Sequence, residues 1–143
     1  MTQEVKLRVR GVQMQGEAAE DNVEVVSVGQ MYEKDGFTCL TYEEVVGESD
    51  GGVVQVVNNL MKIRDDQVEV IKKGPTESHM VFVPERTTYT YYSTPVGELE
   101  ISIFTKQIER IQMSNGFHLM LQYNLEMNQT FISQCSVDLV VEQ

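Results

Sequence analysis

Phe117-His118-Leu119-Met120-Leu121-Gln122-Tyr123-Asn124-Leu125-Glu126-Met127 is the stretch that decides the fold. Its odd positions are apolar or aromatic, and the even ones include His118, Gln122, Asn124 and Glu126. A helix would bring like residues together three or four apart, whereas strict alternation sorts them onto the two faces of a strand. The stretch therefore reads as a half-buried β-strand with Tyr123 on its apolar side. Just before it, Ser114-Asn115-Gly116 is a hairpin signal, because Asn and Gly tolerate the positive φ of tight turns.

The same pattern extends in both directions. Leu99, Ile101 and Ile103 alternate with Glu98, Glu100 and Ser102, after a Thr94-Pro95-Val96-Gly97 turn. A last strand is expected from about Gln134 to Val141. At the other end, Val5, Leu7 and Val9 alternate with charged residues until Gly11, where the apolar phase moves to Val12 and Met14, as a β-bulge would leave it. Glu17 to Asn22 reads as a polar turn, and Val23 to Lys34 and Phe37 to Val45 as strands around an Asp35-Gly36 hairpin. Gly47 to Gly52 is expected to be a loop. Further strands follow at Val53 to Ile63, Gln67 to Lys73, Ser78 to Val83 and Arg86 to Ser93. Short strands with a turn roughly every ten residues and no helical segment imply a sandwich or a barrel. Repeated hairpins favour an up-and-down barrel, whose closure removes exposed strand edges.

The bulk composition narrows the function classes. At 143 residues, 41% hydrophobic and 23% charged, the chain is a single globular domain, residues 1–143, with a core of its own. A net charge of −11 with only 11 basic residues argues against nucleic acid and against anionic membrane surfaces, both of which need clustered Lys and Arg. No apolar run approaches the ~20 residues that cross a bilayer. Met1-Thr2-Gln3-Glu4 leads straight into a strand pattern without the features of a signal peptide, so a cytoplasmic location is expected. Cys39 and Cys135 have no metal or redox spacing and read as free, inert thiols.

Chemistry-bearing motifs are sparse. His79 and His118 lack ligand spacing, Asp65-Asp66 lacks the multi-oxygen loop that calcium wants, and no nucleophile elbow or phosphate loop is present. Glu43-Glu44 and Glu98/Glu100 read as solvated faces. No cofactor is expected, and an enzyme is the weakest reading. The tyrosines are more informative. Tyr42 follows Leu40 at same-face spacing, Tyr123 lies on an apolar face, and Tyr92 sits in a Tyr-rich strand. Lys72 falls in phase with Val68 and Val70, where a lone ammonium is costly without an anion.

Three segments together carry a family resemblance: Gly29-x-Met31-Tyr32 leading to Leu40-x-Tyr42-Glu43-Glu44; Tyr92-x-Thr94-Pro95-x-Gly97-Glu98-Leu99; and Gly116 followed by Tyr123-x-Leu125 and Asn128. This order resembles the YwiB-like family of small bacterial proteins. The resemblance implies a calycin-like (lipocalin-like) antiparallel barrel of about eight to ten strands, and no catalytic residues. The chain departs from the family's Arg-x-Gly after the fifth strand, where it has Lys72-Lys73-Gly74, so an ammonium stands in place of a bidentate guanidinium fork.

The expectation is a non-enzymatic barrel that takes a small apolar or weakly anionic ligand in its mouth. Tyr42, Tyr92 and Tyr123 line that site, and Lys72 meets any negative group. The alternative is a solid-core interaction barrel acting as a homodimer through its outer face, with Val53-Val54-Gln55-Val56-Val57 apolar on both sides.

Overall fold

Ten antiparallel strands follow one another in a computed structural model that describes residues 2–15, 18–46, 55–74, 77–94, 97–127 and 130–143, with the backbone alone at 12–15, 18–23, 46, 92–94, 99 and 131–132. They are β1 (Gln3–Gln15), β2 (Ala18–Lys34), β3 (Phe37–Val46), β4 (Gln55–Ile63), β5 (Val68–Lys73), β6 (Ser78–Phe82), β7 (Thr87–Thr94), β8 (Gly97–Met113), β9 (Gly116–Met127) and β10 (Thr130–Glu142). Among the described residues there is no helix, hence none long and apolar enough to cross a membrane. The sheet order is β6-β5-β4-β3-β2-β1-β10-β9-β8-β7, a meander whose first and last strands zip together from Lys6↔Glu142 to Met14↔Gln134. That one long-range pairing rolls the sheet into a nearly closed, all-β barrel.

The two sheet edges, β6 and β7, meet where the barrel closes. Among the described residues no backbone ladder joins them. Instead the Thr88 hydroxyl donates to the Val81 carbonyl, and the Thr90 hydroxyl to the His79 carbonyl at 2.7 Å. The connection between them is pinned to β8 by Glu85 N–H to the Thr105 carbonyl at 2.8 Å.

Local chemistry accounts for most of the elements. Asp35 and Gly36 have φ of 54° and 81°, the left-handed pair that a two-residue hairpin needs to match strand twist. Two expectations change. The stretch 18–22 is strand rather than turn: Asn22 pairs with Val12 and Ala18 with Gln15, so ladder bonds to β1 override a polar sequence. Gly11 carries no bulge, because its register with Val23 and Val137 is continuous; the shift between β1 and β2 falls at Gln13/Met14. The expected loop at 47–52, the turn residues Pro75-Thr76 and Pro95-Val96, and Val53-Val54 lie outside the described residues.

Alternation in sequence becomes inside and outside in the barrel. Leu7, Ile63, Val68, Leu119, Leu139 and Val141 are at most 1% exposed and fill one end with apolar side chains. The outer surface carries several apolar residues, including Val26, Val28, Val45, Val56, Tyr89 and Tyr91. His118, on the polar face of β9, lies 3.3 Å from Asp138 there.

Candidate functional site: a cavity at one end of the barrel

Following each strand away from the packed end, the inner face changes character. Leu119 and Leu121 on β9 give way to Tyr123 and Leu125; Val68 on β5 gives way to Val70 and Lys72; Leu40 on β3 gives way to Tyr42. These side chains do not fill the space. A cavity of about 390 Å³ remains, walled by apolar residues such as Val9, Met61, Ile101 and Leu125, with Tyr42, Lys72, Ser78, Thr90 and Tyr123 supplying its polar atoms.

Register explains which polar groups meet. Tyr42, Asn59 and Lys72 sit directly across from one another on β3, β4 and β5. Lys72 Nζ lies 3.3 Å from Glu44 Oε1, two residues along β3 from Tyr42. Asn59 on the intervening strand donates Nδ2–H to the same oxygen at 2.9 Å. Asn59 is only 3% exposed, and its Oδ1 has no partner among the described residues. Burial pushes the Tyr42 phenol well above its ordinary pKa, and the nearby Glu44 carboxylate adds to the effect. Tyr123 is also raised, chiefly by burial and then by the Cys135 thiol. Both phenols stay protonated at neutral pH. Tyr123 also packs its ring on Phe82, with centroids 4.7 Å apart.

A model of the family described as a domain of unknown function (DUF1934) matches residues 7–139. The chain belongs to this family. Among solved structures, this DUF1934 chain is similar to the ywiB protein from Bacillus subtilis: TM-score 0.75, 22% identity, over 99% of this chain and 94% of that one. At that identity the likeness establishes the shared barrel, in keeping with the resemblance read from the sequence, and no more. No curated protein matches the chain.

Three of the four expected site residues of this DUF1934 chain, Tyr42, Lys72 and Tyr123, come together around the cavity. The fourth, Tyr92, lies opposite Leu99 on β7, and its side chain is outside the described residues. Lys72 does not stand alone there: the chain's own Glu44 faces it. Sequence reasoning missed Glu44 and Asn59. Both had a signal: Glu44 continues the Leu40, Tyr42 phase, and Asn59 continues the phase of Ile63 and Met61. The adjacent, outward Glu43 made the pair look like one solvated patch. Among the described residues no three His, Cys, Asp or Glu side chains are grouped to hold a metal ion. Cys39 and Cys135 are free thiols, and burial raises the Cys39 pKa above its ordinary value.

The β2–β3 ladder runs only from Lys34↔Phe37 to Gln30↔Thr41, although both strands continue. Beyond it a cleft opens on the outside of the barrel, reached by Tyr42 and Asn59 from within. Gly29 stands at the branch. A Cβ there would collide with the Thr41 carbonyl oxygen and lie 3.0 Å from Leu7 Cδ1, so only glycine lets the strands cross this closely.

Proposed function

We propose that the protein is a non-enzymatic binding barrel, acting in the cytoplasm, that takes one small and largely apolar ligand in its interior cavity. The observation that carries this reading is a space of about 390 Å³ with apolar walls, lined also by Tyr42 and Lys72 from one row of β3, β4 and β5. Pockets for small molecules usually occupy about 300–1,000 Å³ and combine apolar walls with a few placed polar groups.

The test is native mass spectrometry of protein purified gently from its own host, set against the denatured mass. A reproducible extra mass per subunit, lost in Tyr123→Ala, is the expected result. A clean subunit mass, together with no thermal stabilisation by a panel of small amphiphiles, overturns the proposal.

A second reading rests on a different observation. Val26, Val28 and Val45 are 54%, 63% and 70% exposed on the outer face, near the cleft between β2 and β3. Exposed apolar clusters on a sheet often mark association, and a homodimer formed through this face is the alternative function. A monomeric mass by light scattering at micromolar concentration rules it out.

A further inference from the structure

The polar end of the cavity is already charge-balanced, and that restricts what can bind there. A lone ammonium on the inner face beside Val68 and Val70 would attract an anionic head group. Lys72 is not alone. Its partner Glu44 lies at 3.3 Å, and Asn59 donates to the same carboxylate oxygen at 2.9 Å. A ligand carboxylate at Lys72 would therefore bring a second negative charge close to Glu44, within a few ångströms of the carboxylate that already holds the ammonium.

Uncharged oxygen meets no such repulsion. Glu44 takes one Lys72 N–H and leaves two without a partner among the described residues. The Tyr42 hydroxyl, in the same row across β3, β4 and β5, lines the cavity and makes no hydrogen bond to the described residues. Burial keeps this phenol protonated, so it too can donate.

We infer that the ligand is an uncharged amphiphile, an apolar body with a hydroxyl or carbonyl head, whose oxygen accepts from Lys72 and Tyr42 while Glu44, braced by Asn59, excludes carboxylates. This rests on the binding reading above and names the ligand class for that same cavity. Glu44 and Asn59 are positioning residues: they set the charge that a head group meets without touching it.

The probes are 1-octanol and octanoate, which share an apolar chain and differ in head charge, titrated calorimetrically at neutral pH into the full-length protein. Wild type is expected to bind octanol at least tenfold more tightly than octanoate. A merely apolar cavity shows that preference too, so the deciding comparison is Glu44→Gln, which keeps shape and removes the charge. There octanoate is expected to gain at least tenfold and to overtake octanol. Octanoate binding wild type as tightly as octanol overturns the inference without any variant, and leaves the binding reading standing. The same holds if folded Glu44→Gln keeps the wild-type preference. Failure of wild type to bind either probe overturns the inference together with the binding reading beneath it.

Discussion

Thr90 Oγ1 donates to the His79 carbonyl at 2.7 Å, where a fully laddered barrel would place a backbone N–H. With Thr88 bound to Val81 in the same way, two side-chain hydroxyls hold β6 to β7. Thr90 also lines the interior cavity, which puts the weakest seam of the barrel against the proposed site.

Replacing both hydroxyls, in Thr88→Val/Thr90→Val, is expected to cost about 1 kcal/mol per bond. Amide hydrogen exchange should quicken in β6 and β7 and leave β9, paired on both sides, unchanged. A uniform rise across all strands would show that the seam is not a separate opening unit.

Leu119 and Leu125 offer the same side chain in two settings on one strand. Leu119 is 1% exposed in the packed end, whereas Leu125 borders the cavity. Leu119→Ala is expected to lose about 3–5 kcal/mol in urea unfolding, and Leu125→Ala about 1–2 kcal/mol, because Leu125 is only partly buried at the cavity wall. Equal losses would mean that the cavity is filled or collapsed in solution.

Gly29→Ala would press a methyl group into the Thr41 carbonyl and to 3.2 Å from Tyr42 Cβ. The strands must separate to admit it, at roughly 1–3 kcal/mol or more. A lowered denaturant midpoint with an unchanged slope is the expected result; wild-type stability would contradict the close approach.

Alkaline pH should unfold the protein through Tyr42 and Tyr123. Both have folded-state pKa values raised above the ordinary phenol value of about 10, mainly by burial. Below pH 10 the phenols are neutral in both states and their contribution is intact. Above it the unfolded chain releases protons that the folded chain retains, so stability falls as pH rises toward the raised values. Unfolding curves from pH 8 to 11 should show this decline (about that range, set by the ordinary tyrosine pKa). Tyr42→Phe and Tyr123→Phe should each flatten it, and an unaltered slope in both would refute the assignment.

Much of the site was legible because facing direction is a local property. Lys72 shares the phase of Val68 and Val70, and it lines the cavity together with Tyr42 and Tyr123. Glu44 was hidden by its neighbour Glu43, since two adjacent acids suggest solvent even when alternation sends one of them inward. Asn59 was passed over because a single amide among apolar residues announces nothing until its partners are known.

Alternation along the chain was enough by itself to determine the strands, most of their turns and the face that each side chain takes, because a strand's period of two is written residue by residue. It could not determine which residues share a row. That depends on register between strands, and on closure by β1 and β10, which meet only after the whole chain has rolled up. Tertiary structure therefore decided that Glu44 answers Lys72 across β4, that glycine sits where β2 and β3 cross, and that one end of the barrel is packed while the other encloses space. The physical reason is that charge pairing and empty volume are properties of neighbours, and these neighbours are brought together by long-range strand pairing.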